Sequence, residues 1–231
     1  AEDQKKLAGS GQIISNADLL KAMDTDIQKI LTAVPGLYMR TEEGYGLRPN
    51  ISIRGTAIER SAKVAIMEDG VLVAPSPYTS SSAYYFPTTG RIHSVEVLKG
   101  PAAVTQGPQT IGGAINLIST PIPNVPSGKF VQELGENGMM RTHAYYGGTS
   151  GNFGGLVEVH EHESDGFDSI ANVGGDTGFD KSDLMLKARY ENGDHSLTFK
   201  MVDLDETSNQ SYVGLSQASF NANPRQRYGA T

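Results

Sequence analysis

The sequence predicts an α+β domain, a small mixed four-stranded sheet with short helices, followed by a run of antiparallel β-strands. Three observations carry this reading. Helix signals and short apolar runs fill the chain up to about Pro123, prolines punctuate it at Pro121, Pro123 and Pro126, and apolar and polar residues alternate after that. The first domain is accordingly residues 1–126 and the strand region residues 127–231.

Ser15 and Asp18 have the spacing of a helix-start capping pair, with Leu19, Leu20 and Met23 as the apolar face behind it. A second helix is marked by Ile27, Ile30, Leu31 and Val34. Pro35-Gly36 ends it, through the missing donor of proline and the permissive dihedrals of glycine. Strands are expected at Ile51 to Ile53, at Val64 to Met67 before the Asp69-Gly70 turn, at Val95 to Leu98 before Gly100-Pro101, and at Ala114 to Ile118. Between them run loops rich in aromatic and hydroxyl groups, Tyr45 to Asn50 and Pro75 to Pro87. Loops of that kind carry function more often than cores do.

In the second region Val157 and Val159 oppose Glu158, His160 and His162. Leu184, Leu186, Ala188 and Tyr190 oppose Met185, Lys187 and Arg189, and Leu197, Phe199 and Met201 oppose Ser196, Thr198 and Lys200. A soluble antiparallel sheet and a membrane barrel both show this alternation. Tight turns are expected at Glu136-Asn137-Gly138, Thr149 to Asn152 and Glu191 to Asp194. Longer excursions run from Ser164 to Ser182 and onward from about Asp205. Both long excursions then fall at the same end of the strands, an asymmetry that transmembrane barrels share.

Composition excludes several chemistries. Cysteine is absent, so thiol nucleophiles, disulfides and Cys-ligated zinc are out. Lys and Arg number 19 against 26 Asp and Glu, a net charge of -7 with no basic cluster, which argues against a nucleic-acid partner. No apolar run approaches the ~20 residues of a spanning helix, although a spanning strand needs only ~10 alternating residues. His160-Glu161-His162-Glu163 invites a metal reading, but two histidines on one strand lack the further ligands of a zinc site, and no metal is assigned. Gly107 to Gly113 lacks the Lys-Ser or Lys-Thr of a phosphate loop. No Ser, His and Asp set forms a nucleophile elbow, so no catalytic residues and no enzyme activity are assigned.

Four segments then stand in a specific order: Asn50 to Gly55, Met67 to Gly70, Val95 to Pro101 and Gly107 to Ile118. Together they resemble the plug of a TonB-dependent outer-membrane receptor, and the alternating segments after Pro126 resemble the first strands of that family's transmembrane β-barrel. Within the family the Tyr78 to Pro87 loop is most similar to receptors for ferric dicitrate and related iron chelates. The resemblance implies uptake of an iron chelate, ferric citrate or siderophore-like, across the bacterial outer membrane, gated by the plug and energised by TonB at the periplasmic side. The Fe(III) chelate is cargo, no resident cofactor is implied, and outer-membrane lipid surrounds the barrel. The family's barrel has about 22 strands, so the barrel here is incomplete. Its short hydrophobic TonB-pairing segment is not spelled by Ala1 to Ser10.

The resemblance also implies sites. Arg54 and Lys99 match plug positions that pair with acidic barrel residues. The outward loops offer Arg40, Tyr45 and Arg48, then Tyr78, Thr79 and Tyr84, then Gln106 and Gln109, as groups suited to an anionic, oxygen-rich ligand. Two other classes compete with uptake. One is a surface β-protein that binds carbohydrate or protein without transport, and the other a hydrolase using a carboxylate pair such as Asp165 and Asp168.

Overall fold

In the computed structural model, which describes residues 10–22, 26–41, 44–73, 85–171, 174–209 and 215–227, the chain divides into two units, Ala1–Thr120 and Pro121–Thr231. The proline stretch 121–126 thus stands at the head of the second unit.

The first unit begins with strand β1 (Ser10–Ile14) and helix α1 (Asn16–Ala22). Ser15 and Asp18 cap α1 reciprocally: the Asp18 amide donates to Ser15 Oγ at 3.3 Å, and the Ser15 amide and hydroxyl donate to Asp18 Oδ2 at 3.1 and 2.7 Å. The Ser15 hydroxyl, with its backbone amide, holds the Asp18 carboxyl below its ordinary value. Of the apolar face expected on α1, Leu19 packs on the core and Leu20 stays exposed, while Met23 lies outside the described residues. Helix α2 (Ile27–Leu31) starts at Asp26, whose carboxylate accepts from the Gln28 amide at 2.8 Å, and it buries Ile27, Ile30 and Leu31.

Strands β2 (Leu37–Arg40) and β3 (Asn50–Ile53) pair antiparallel as a separate two-stranded sheet. The main sheet contains β4 (Val64–Glu68), β5 (Val71–Leu72), β6 (Ile92–Lys99) and β7 (Gly113–Ser119), in the order β1-β6-β7-β4-β5. It is mixed, because β4 and β7 run parallel while the other pairs are antiparallel. Its membership differs from expectation: β1 and β5 join it, and Ile51 to Ile53 does not. β1 joins by pairing with β6 and Ile51 to Ile53 leaves by pairing with Leu37 to Arg40, whereas for β5 the physical reason is local. Asp69 and Gly70 take positive φ, 50° and 82°, as a two-residue hairpin requires, and so return the chain as the edge strand β5. The core joins Ile27, Leu31, Ile51, Ile53, Ile66, Val95, Val97, Ile115 and Leu117 between helices and sheets.

A polar cluster sits inside this unit. Arg91 is fully buried, its guanidinium grips Glu68 through both carboxylate oxygens, and it donates to Tyr85 Oη at 3.0 Å. The next residue, Asp69, accepts from the Ser119 amide at 2.9 Å and the Ser119 hydroxyl at 2.5 Å, and Thr120 donates its amide to the Arg91 carbonyl at 3.0 Å. The end of the unit is thereby stitched to its sheet.

The second unit is a five-stranded antiparallel sheet of β8 (Ser127–Leu134), β9 (Met140–Ser150), β10 (Phe153–Ser164), β12 (Phe179–Asn192) and β13 (His195–Ser208), in the order β13-β12-β10-β9-β8. It is open, with β8 and β13 at its edges. The three tight turns fall where expected, with Asn137 and Gly138 at φ 56° and 64°, Gly151 at 57° and Gly193 at 58°. β12 begins three residues before Ser182, so the first excursion is shorter than its sequence suggested. That excursion carries β11 (Ser169–Ile170), which pairs in parallel with β14 (Gln226–Arg227) of the second, beyond the short helix α3 (Gln217–Ala222). Asp168 and Arg227 add an ion pair at 3.1 Å, so the two excursions meet at one end of the sheet.

The faces of this sheet are inverted relative to a soluble one. On β10, Val157 and Val159 are 41% and 37% exposed, whereas Glu158 and His160 are 1% and 2% exposed. Phe130, Tyr146, Phe153, Leu197 and Phe199 are exposed as well, while Asp183 and Lys181 are buried. Apolar side chains facing out from a sheet with a polar inner face are what a hydrocarbon solvent selects, and they decide between the two architectures that alternation alone left open.

Two outcomes are expected. Glu68→Ala leaves the Arg91 charge buried without its carboxylate and destabilises the first unit by about 3–5 kcal/mol, whereas the paired change Glu68→Leu with Arg91→Met costs much less; urea unfolding followed by circular dichroism checks both. In the full-length protein folded into vesicles, Val157→Arg costs about 2–4 kcal/mol if the side chain meets the bilayer midplane, read as a lower folded fraction in heat-modifiable gel migration.

Candidate functional site

Pro35 and Gly36, in the turn between α2, which ends at Leu31 rather than at Val34, and β2, build one corner of the first unit. Gly36 takes φ 83° and its carbonyl accepts from the Arg54 amide at 2.8 Å. The Pro35 carbonyl accepts from Lys99 Nζ at 2.9 Å. Arg54, at φ 54°, and Lys99, the last residue of β6, are thus brought together by three segments distant in sequence. Burial, and then the Arg54 charge, lower the Lys99 ammonium from its ordinary value. Among the described residues neither cation meets a carboxylate, so the corner presents two positive groups and no acid of its own.

Glycine makes this corner possible. A Cβ at Gly112 would stand 2.9 Å from both the Lys63 carbonyl and Thr56 Oγ1, so the residues after Ile53 and the entry to β7 approach as closely as they do only over a glycine.

The first candidate loop, residues 44–49, is held from both sides. Asn50 Oδ1 accepts from the Arg60 amide at 2.8 Å, and the Ser61 hydroxyl donates to the Pro49 carbonyl at 3.0 Å. Gly46 at φ 72° lies so close to Asp26 that a Cβ there would overlap its carboxylate. Arg40 pairs with Glu59 at 2.9 Å with both side chains exposed, Tyr45 is buried, and Arg48 donates to the neighbouring Leu47 carbonyl. Gln106 and Gln109 stand on a different segment, at and after the 3-10 turn Pro101–Gln106, with Gln109 at φ 65°. That turn packs Ala103 against Ala65, Met67 and Ala114. Tyr78, Thr79 and Tyr84 lie outside the described residues. Their loop re-enters at Tyr85, the residue that donates toward Glu68 and accepts from Arg91.

Sequence reasoning missed the Glu68, Tyr85 and Arg91 cluster. Its one signal was an arginine between Gly90 and Ile92, immediately ahead of the strand Ile92–Lys99. It also missed His143, which β9 places directly opposite His160.

Comparison with known proteins matches these features. Residues 3–114 fit the family described as TonB-dependent Receptor Plug Domain. The vitamin B12 transporter BtuB of Photobacterium profundum is 24% identical over 186 residues, which cover 79% of this chain and 30% of that protein. The crystal structure of the ferric citrate transporter FecA in its unliganded form superposes with a TM-score of 0.79 at 24% identity, over 97% of this chain and 35% of FecA. The ferric yersiniabactin uptake receptor FyuA of Yersinia pestis gives 0.71 at 22% identity, over 88% of this chain and 32% of FyuA. The chain spans about a third of the length of these relatives, and its open sheet is a partial barrel. Residues 3–114 thus carry the plug domain of TonB-dependent receptors, and the strands that follow share the fold of solved outer-membrane receptors of that kind.

Proposed function

We propose that the receptor carrying this chain takes up an Fe(III) chelate, ferric citrate or a siderophore-like compound, through the outer membrane, with the plug as gate and TonB as the source of energy. The observation that carries the uptake reading is the pairing of a plug domain with a sheet whose apolar side chains face outward. A barrel of that kind encloses a lumen, and a plug is what keeps a lumen wide enough for a chelate from leaking. No bond in the cargo need break, so no catalytic residue is required.

The chelate reading draws on loop chemistry. Arginine supplies charge, and tyrosine supplies both an apolar face and a hydroxyl, to an oxygen-rich anion. Arg40, Tyr45, Arg48, Tyr78, Thr79, Tyr84, Gln106 and Gln109 are the proposed contacts. FecA and FyuA are named for iron chelates and BtuB for a vitamin, so resemblance alone does not choose the cargo.

Arg54 and Lys99 are proposed as the plug's side of a releasable lock to the barrel. Two adjacent cations without an acid among the described residues of their own unit suit a carboxylate supplied from elsewhere in the receptor. The Arg54 guanidinium would hold it in a bidentate clamp and Lys99 as a point charge.

Radioiron citrate uptake by a strain whose only outer-membrane iron receptor is the full-length protein tests the function. Uptake is expected with TonB present and absent without it; cells that take up no more iron citrate than receptor-free cells would sink the ferric citrate reading. A second expectation concerns pH. Because the folded Lys99 gives up its proton below 10.5, the unfolded chain binds more protons in the window between the lowered value and 10.5, and plug stability rises with pH across it. Lys99→Met removes that rise, seen as the wild-type minus variant difference in urea midpoint from neutral pH to 10.5.

A further inference from the structure

The polar face of the barrel strands holds a histidine cluster that periodicity could not complete. His160 and His162 project from the same face of β10, two residues apart, and register sets His143 of β9 directly opposite His160. The ring centroids of His143 and His160 are 5.6 Å apart, and those of His160 and His162 are 6.2 Å apart. Two imidazoles sharing a tetrahedral ion at bond lengths of roughly 2.0–2.1 Å have centroids about 5 Å apart, so the observed spacings lie within a ring rotation of that arrangement.

Two independent features point to a ligand. His160 is 2% exposed and neither of its ring nitrogens has a hydrogen-bond partner among the described residues, so a costly buried polar group is left open. His143 Nε2 lies 2.6 Å from Glu158 Oε1, which is how a carboxylate behind a metal-binding imidazole fixes its tautomer and leaves the other nitrogen free to coordinate. The flanking cations are already answered: Arg141 pairs with Glu133 at 2.5 Å and Lys181 with Glu206 at 3.2 Å. As they stand, no three ligating groups among the described residues converge on one point, so binding closes the set by turning the rings.

We propose that His143, His160 and His162, with Glu158 orienting His143, bind one borderline divalent first-row cation of the zinc type and leave a fourth position open to water or an incoming donor. Three neutral imidazoles favour such an ion over calcium or magnesium, which prefer oxygen. The cation bridges β9 and β10 on the lumen face and needs no chelator to hold it.

The test is titration of the full-length receptor, purified in detergent, with Co²⁺ followed by visible absorption and with Zn²⁺ followed by calorimetry. One ion per chain is expected, with the intense visible bands of a low-coordinate Co²⁺ site. His143→Ala, His160→Ala and His162→Ala each weaken binding at least about tenfold, and Glu158→Gln weakens it about 10–100-fold. His195→Ala, at the turn between β12 and β13, leaves it unchanged. Heat-modifiable gel migration shows which variants fold. Zn²⁺ should also slow modification of the wild-type histidines by diethylpyrocarbonate, a readout that needs no variant. Absence of stoichiometric Co²⁺ binding, wild-type affinity in folded His143→Ala and His162→Ala, or no protection by Zn²⁺ would each overturn the proposal. None of these measurements involves uptake or TonB, so their failure and the failure of the transport reading are distinguishable.

Discussion

The second unit depends on one constraint: a strand that faces hydrocarbon must satisfy its backbone through neighbouring strands and turn its apolar side chains outward. β9, β10 and β12 do both, each paired along its length on two sides. The consequence is a sheet that buries Glu158, His160, Lys181 and Asp183 beside a small apolar group of Leu156 and Met185, and that exposes Phe153, Val157 and Phe199. The polar groups so collected must answer one another. Cross-strand ion pairs between Glu133 and Arg141 and between Lys181 and Glu206 do this at two places along the face.

The plug follows the opposite rule. Its sheet buries isoleucine, leucine and valine in the ordinary way, and each buried charge meets a polar group: Asp26 the Gln28 amide, Lys99 the Pro35 carbonyl, Arg91 the Glu68 carboxylate. Arg91 and Glu68 form the buried pair, and the residues beside them, Asp69 and the Arg91 carbonyl, hold Ser119 and Thr120. The strand that leaves the unit is therefore anchored through the same few residues that receive the Tyr85 end of the aromatic loop. By contrast α1 buries no residue fully, and β1 pairs with β6 alone at the sheet's edge.

Both proposed sites arise from long-range placement. Arg54 and Lys99 are 45 residues apart in number and meet because the Pro35 and Gly36 carbonyls accept from Lys99 and from the Arg54 backbone. His143 and His160 meet because the Ser150 to Phe153 turn sets their strands in register. A one-residue slip in that register would send His143 to the apolar face and dissolve the cluster.

Local physics made much of the fold legible. The Ser15 and Asp18 cap, the Asp69-Gly70, Asn137-Gly138 and Gly193 turns, and the alternation of β10, β12 and β13 are short-range rules, and each appears where its residues stand, whereas α2 ends at Leu31, ahead of the Pro35-Gly36 stop. What alternation could not supply was the side on which the solvent lies, because period two is the same in a sandwich and in a barrel. Nor could it show that Ile51 to Ile53 pairs with Leu37 to Arg40 outside the main sheet, that Glu68 would find Arg91, or that a third histidine would face His160. The sequence by itself determined turns, caps and the two-faced character of the strands, because those depend on neighbours a few residues away. The tertiary structure alone decided sheet membership, register and facing, because these depend on which distant strand supplies the next row of hydrogen bonds.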